Sequence, residues 1–299
     1  MKKVLLIQHS KTADGQRISR EFNEKIAEIL AGDVVVEYCD IADLVFDISH
    51  DTARIFHPKK QFDVREFGLV VFRHFGKFIE LASAMAYYLK EFSVKYIDSF
   101  YGNLEFDNKL RESLYRFFND LPQPRTICGD SESLAKSFAK FNEKAVLKDI
   151  HGSKGRLNFL IKNPEEIAKI MHENPDTQFI LQEFIPNNGD LRILVFNFKS
   201  TLVISRRRCD GAHLNNTSQG GMAKLIPVEN IRRETLELAE SAARSENVEV
   251  AGVDIITDVE TDKDYILEVN RAPQIQSGSF VKEKTGRYAL MLREMLESS

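Results

Sequence analysis

Two runs near the end of the chain constrain its fold more than any other feature. Ala251-Gly252-Val253-Asp254-Ile255-Ile256 and Tyr265-Ile266-Leu267-Glu268-Val269-Asn270 are apolar and rich in β-branched residues, with an acidic turn between them. Such runs form paired strands, predicted here over 250–258 and 264–270. Residues two apart on a strand share a face, so Glu268 and Asn270 point the same way, and Asp254 can face them from next door. Carboxylates inside apolar strands are costly unless something cationic compensates. Three oxygen ligands without His or Cys suit a hard ion, and magnesium bridging phosphates is the natural candidate. Asp254 taken alone better suits a salt bridge or an edge-strand charge facing water; the three together favour the metal.

Upstream, the periodicity divides the 299 residues into three parts, which suits roughly 100–200 residues per domain. Residues 1–105 alternate short apolar runs (4–7, 34–38, 69–72) with helical stretches at 19–30 and 77–92, the pattern of a parallel α/β sheet. Met85, Tyr87 and Tyr88 in the second stretch read as core packing. Residues 106–181 begin with a helix capped by Asp107 and running through Asn119. Strand 125–128 follows, then a helix opened by Ser131, strand 145–148, a glycine-containing loop, strand 158–162, and a helix from Pro164 through Met171. Residues 182–299 hold strands 191–196 and 201–205 joined by a turn at 197–200, a polar helix over 228–247, the hairpin, and a last helix with Tyr288, Met291, Leu292 and Met295 on one face.

Hydrophobic residues at 43% and charged residues at 29% describe an ordinary globular protein and argue against global disorder. A net charge of -4 gives no basic surplus for nucleic acid or an anionic membrane. Cys39, Cys128 and Cys209 are scattered and outside any metal-ligand spacing, which suits a reducing cytoplasm. The run Val4–Ile7 after Lys2-Lys3 is too short for a signal-peptide core. No apolar stretch approaches the ~20 residues that span a bilayer.

Three further segments carry chemistry. In Val146-Leu147-Lys148-Asp149-Ile150-His151-Gly152-Ser153-Lys154-Gly155 a strand ends in a lysine and enters a glycine loop, where backbone N–H groups and the ammonium can converge on phosphate. The lysine precedes the glycines, so this is no Walker A loop, and the dinucleotide fingerprint is absent; an ordinary hairpin turn explains the segment equally well. In Phe179-Ile180-Leu181-Gln182-Glu183-Phe184-Ile185 a strand edge could read adenine, and Asp190 beyond it could bind ribose; a plain strand and turn is the alternative. Ser205-Arg206-Arg207-Arg208 places arginines at a strand end, where they clamp phosphate or carboxylate or form a solvated charge run. His9, His74 and His151 are general-base candidates by residue type only.

The order of these segments resembles the ATP-grasp superfamily, and most closely its RimK-like branch, the ligases that add glutamate to ribosomal protein or related carboxylates. The resemblance implies an N-terminal parallel α/β domain followed by two ATP-gripping α+β subdomains. It implies that Lys109 and Lys148 contact ATP phosphates, helped by Gly152, Ser153 and Gly155. Gln182, Glu183, Phe184 and Ile185 line the adenine pocket and Asp190 approaches the ribose. Arg206 or Arg207 steadies the transferring phosphoryl group, with Lys148. Asp254, Glu268 and Asn270 hold magnesium or manganese. Arg73, at the end of Val70-Val71-Phe72-Arg73, matches a family strand that ends in an arginine near the active site. The chain departs from the family at Leu157, Leu214, Gln219, Arg271 and Gln274; the nucleotide and metal set is largely kept and the substrate-facing set is altered. The expected activity is a cytoplasmic, ATP- and magnesium-dependent carboxylate–amine ligase working through an acylphosphate, on an amino acid, peptide or protein; a homo-oligomer is compatible. The alternatives are a catalytically weak ATP-binding regulatory module and a small-molecule kinase.

Overall fold

Strands β1 (Lys2–Gln8), β2 (Val34–Asp40), β6 (Leu69–Phe72) and β7 (Tyr96–Ile97) form a parallel sheet in the order β2-β1-β6-β7. This architecture comes from a computed structural model, which describes residues 2–103, 108–141, 143–152, 156–207 and 222–297. Helices α1 (Ala13–Leu30) and α2 (Ile79–Glu91) supply the crossovers. Both sheet faces are covered, so β1 is apolar throughout. Val4 and Leu6 join one core with Phe22, Ile26 and Leu30 of α1. Leu5 and Ile7 join another with Met85 and Leu89 of α2. Helix α1 begins six residues before the predicted start, because Thr12 accepts from the Gly15 N–H and caps it there. A small antiparallel sheet, β3 (Val45–Ile48), β4 (Ala53–His57) and β5 (Phe62–Asp63), was not legible, since its strands are short and mixed in polarity.

The second sheet is antiparallel, in the order β10-β9-β11-β8. It follows α3 (Lys109–Phe118) and contains β8 (Thr126–Cys128), β9 (Ala145–Asp149), β10 (Asn158–Ile161) and β11 (Phe179–Glu183), with α4 (Ser131–Ser137) and α5 (Glu165–Glu173) packed on it. Leu147, Phe179 and Leu181 point into the core with Leu134 and Ile167. Strand alternation therefore turns Lys148 and Gln182 to the opposite face. Asn108 caps α3 through its side-chain oxygen, and Asp130 caps α4, one residue ahead of Ser131; the predicted cap Asp107 lies outside the described residues. The expected boundary at 181 falls inside β11, which runs to Glu183 and pairs with β9.

The third sheet has the order β14-β13-β12-β15-β16, all antiparallel. Its elements are β12 (Asp190–Phe196), β13 (Lys199–Arg207), β14 (Met222–Ile226), α6 (Arg233–Ser245), β15 (Val250–Thr257), β16 (Asp264–Asn270) and α7 (Val281–Glu297). The turn between β12 and β13 is only Asn197-Phe198, both with positive φ (48 and 61), as the tight mirror-image hairpin turn requires. Ile193, Val195, Val203, Val253 and Ile255 face Ala239, Ala242 and Ala243 of α6. The other face changes character along its length. At one end Leu194, Phe196 and Leu202 pack on Tyr288 of α7. At the other end, by the same alternation, lie Asp190, Arg192, Arg206 and Asp254. Among the described residues no helix is long and apolar enough to cross a membrane.

Candidate active site

The charged end of this third face carries the predicted metal ligands together. Asp254 stands opposite Glu268 across β15 and β16, and Asn270 opposite Gly252. The Asn270 Nδ2 donates to the Gly252 carbonyl at 3.0 Å and lies 3.5 Å from Asp254 Oδ2. Asp254 is buried and engaged by two arginines. Arg192 binds it through Nε–Oδ1 at 2.7 Å and Nη2–Oδ2 at 2.6 Å, and Arg206 Nη2 reaches the same Oδ2 at 3.0 Å. Burial pushes the Asp254 carboxyl up, but Arg192 and Arg206 outweigh it and hold it down at about 2. Glu268 has the opposite balance: burial raises its carboxyl, and Asp254 and Glu112 raise it further. No hydrogen bond or ion pair to the Glu268 side chain exists among the described residues. Nor do those residues contain three or more His, Cys, Asp or Glu clustered for a metal; the set here is two carboxylates and an amide.

Asp190, expected at the ribose, is paired with Arg206 in this structure. Its carboxylate is buried and held by Arg206, through Nε–Oδ1 at 3.0 Å and through Nη2–Oδ2. Burial raises Asp190 to about 6, only partly offset by Arg206. Both oxygens are spent on the arginine, so Asp190 orients Arg206. Arg206 is turned inward and Arg207, the next residue along the strand, is exposed. Gly189 shapes this corner: its φ is +133°, and a Cβ there would lie 2.4 Å from the Arg206 carbonyl oxygen.

The second sheet contributes Lys148, half-buried, with Nζ 2.5 Å from Gln182 Oε1. Gln182 in turn donates to Thr126 Oγ1 at 3.0 Å. Burial lowers the Lys148 ammonium to about 8, with Glu268 opposing and Lys109 adding to the shift. Lys109 begins α3; its N–H donates to the Ile150 carbonyl at 3.1 Å and its ammonium to the Gly152 carbonyl. Gly152 sits where a Cβ would be 3.0 Å from the Arg156 carbonyl oxygen. Ser153 and Gly155 lie outside the described residues, as do Arg208, Leu214 and Gln219. Leu157, at a position where the family has glycine, has φ +50°, the left-handed region that glycine adopts most easily. At the end of β11, Glu183 accepts from the Arg125 N–H at 3.2 Å; beyond it, Phe184 lies beneath Lys144 and Ile185 is buried.

Two cations here were not assigned roles from sequence. Arg192 shares the Asp190 face by spacing of two along β12, a signal that could have found it. Lys284 of α7 is buried, donates to the carbonyls of Gln274 and Ser277 at 2.5 and 2.7 Å, and is lowered to about 8 by burial and Arg192. Only the fold brings it in. Arg73 reaches the same loop from the N-terminal sheet, with Nη2 3.0 Å from the Pro273 carbonyl. His74 is lowered to about 4 by burial and Arg73, and His9 is paired with Asp40 at 3.0 Å.

Lys148 of the second sheet and Lys109 of α3 thus lie within electrostatic reach of Glu268 in the acid–arginine cluster of the third sheet. A profile of the RimK-like ATP-grasp domain matches residues 119–286, more than half of the chain. The chain belongs to the RimK-like ATP-grasp family. As a RimK-like protein it is 31% identical over 156 residues to a probable alpha-L-glutamate ligase of Parasynechococcus marenigrum, covering 50% of this chain and 32% of that one. It is 33% identical over 174 residues to the tetrahydromethanopterin:alpha-L-glutamate ligase of Methanocaldococcus jannaschii, covering 56% and 58%. The matches therefore span less than two thirds of these relatives' own length. Two solved structures share the ATP-grasp fold over nearly the whole RimK-like chain. One is the ATP-grasp ligase PsnB complexed with minimal precursor, Mg and ADP, with TM-score 0.73 and 14% identity over 98% of this chain and 97% of that one. The other is D-alanyl-alanine synthetase A from Vibrio cholerae O1, with TM-score 0.69 and 13% identity over 99% and 98%.

Proposed function

We propose that this chain is an ATP-dependent carboxylate–amine ligase that forms an amide bond through an acylphosphate. The observation that carries the reading is the meeting of Lys148 with the Arg192, Arg206, Asp254, Glu268 and Asn270 cluster across two sheets; Glu268 perturbs the Lys148 ammonium directly. Glutamate ligases among the relatives support the reaction class. A substrate carboxylate oxygen attacks the γ-phosphorus of ATP, the bridging P–O bond breaks and ADP leaves. The amine then attacks the acyl carbon, the C–O bond to phosphate breaks, and the nitrogen gives up a proton.

Lys148, Lys109 and Arg206 bind the phosphates and offset the negative charge of the transferring group. Gln182, Glu183, Phe184 and Ile185 line the adenine side. Arg207 is left out of the site, and Asp190 holds Arg206. The residues suit magnesium: the Glu268 carboxylate has no hydrogen-bond or ion-pair partner among the described residues and is raised by burial and by its neighbour Asp254, so a cation beside it would relieve it. Asp254, Glu268 and Asn270 would hold that ion, which supplies positive charge to phosphate oxygens. We place the protein in the cytoplasm, where thiols such as buried Cys39 and exposed Cys128, neither in a disulfide, stay reduced. The subdomain that carries Lys148 is taken as about 106–183.

The test is ADP release over pooled amino acids, peptides and other carboxylates, with mass detection of products. An ATP-dependent amide, formed with release of ADP, is the expected product. A phosphorylated product without amide would reassign the chain as a kinase. Nucleotide binding without turnover on any pool would leave it a binding module.

A further inference from the structure

Four buried or half-buried charges form one alternating line: Asp190, Arg206, Asp254, Arg192. Two arginines balance two aspartates, so the quartet is neutral before any ligand arrives. Both oxygens of Asp254 already accept from guanidinium groups, and one of them receives both arginines. A divalent cation approaching Asp254 therefore meets two fixed positive charges at contact distance, where repulsion in a partly dry site is strong.

The two arginines differ in how they are held. Arg206 is 7% exposed at its side chain and clamped by Asp190 through both Nε and Nη2. Arg192 is 20% exposed and has Asp254 as its only acidic hydrogen-bond partner among the described residues. Lys284 lies close enough for Arg192 to lower its ammonium, and that repulsion favours Arg192 moving away. Neither Asp254 nor Arg192 can be stripped of the other cheaply, because a buried charge that loses its bidentate partner is strongly disfavoured. The exchange is inexpensive only when both receive replacements at once, an anion for Arg192 and a cation for Asp254.

Resting on the ligase reading above, we propose that Arg192 is a positioning residue that occupies Asp254 in the free protein and passes to a phosphate oxygen of the nucleotide, so that nucleotide and divalent cation enter as a coupled pair. Arg206 stays on Asp190 throughout. Such coupling is reciprocal: nucleotide tightens the metal by the factor by which metal tightens nucleotide.

The experiment is titration with Mn2+, read by electron paramagnetic resonance of the free ion, with and without ADP, on the full chain. In the wild type Mn2+ alone binds weakly, and ADP tightens it roughly tenfold or more. Arg192→Met frees Oδ1 of Asp254 and leaves Arg206 on Oδ2, so Mn2+ alone binds roughly tenfold tighter than in the wild type and the gain from ADP shrinks. Adding Glu268→Gln to Arg192→Met removes the new affinity. Arg192→Lys, which keeps the charge but not the two-point contact, lies between; it serves if Arg192→Met does not fold. The proposal is overturned if both Arg192 variants bind Mn2+ alone no better than a wild type that does bind ADP. A wild type that binds no ADP in the presence of Mn2+ would sink the ligase reading itself, and the coupling with it.

Discussion

Lys148 sits on the polar face of its sheet with Gln182 accepting from it, and burial brings its ammonium down to about 8. A base lowered in the folded state makes folding less favourable at every pH where it is charged in both states. That penalty is full below about 8 and fades as pH rises through the unfolded value near ~10.4. Lys148→Met should therefore melt higher than the nucleotide-free wild type at pH 7, with the gap closing between pH 8 and 10.5. The same variant should lose at least ~100-fold in ATP turnover, because the phosphate charge is no longer offset. Equal melting at all pH values, or normal turnover, would remove Lys148 from the phosphate site. At Gly189 the constraint is steric. An alanine there collides with the Arg206 carbonyl and is strained at φ +133°, so Gly189→Ala should cost about 2 kcal/mol or more in urea unfolding.

Helix α3 has its polarity reversed. Glu112, Ser113 and Arg116 are buried while Leu114, Phe117 and Phe118 are exposed. The buried side is ionic: Arg116 Nη2 binds Glu112 at 2.8 Å and lies 3.7 Å from Glu246, which Arg271 also binds at 2.8 Å. Arg271 is one of the departures from the family pattern, and its partner Glu246 explains what it does. Removing Arg116 takes the ion-pair partner from buried Glu112 and leaves Glu246 with Arg271 alone, so Arg116→Ala should destabilise by about 3–5 kcal/mol. Phe118→Ser should change stability by less than about 0.5 kcal/mol. Denaturant titrations that rank the two the other way would mean that α3 is seated differently. The helix itself was legible, with Asn108 as its cap where the sequence suggested Asp107, but which side faces inward was not, because periodicity alone assigns the apolar side to the core.

The last helix belongs, by packing, to the first sheet. Tyr288, Leu292 and Leu296 of α7 share a core with Val4, Leu6 and Ile26. Lys95 donates to the Met295 carbonyl at 2.6 Å, and Arg293 to the Ile29 carbonyl at 3.1 Å. The chain thus returns to its start, and the loop carrying Pro273 and Gln274 is held from both sides by Arg73 and Lys284. Leu292→Ala should cost about 2–5 kcal/mol. Hydrogen exchange in that variant should quicken first in β1 and α1; loss of protection in the 250–270 hairpin instead would contradict this arrangement.

Local pattern determined most of the elements and put the Asp254, Glu268 and Asn270 side chains on one face, because strand alternation and β-branched runs act over a few residues; the family was legible only as a resemblance in the order of the motifs. The hairpin placed Asp254, Glu268 and Asn270 together without any knowledge of the rest of the chain. Tertiary structure alone decided which charges pair. Asp190 went to Arg206 and Asp254 to Arg192, because buried carboxylates take the nearest guanidinium whatever its distance in sequence. It also decided that α7 closes the N-terminal sheet and brings Lys284 to the site, since an amphipathic face records that it must be covered but not by what.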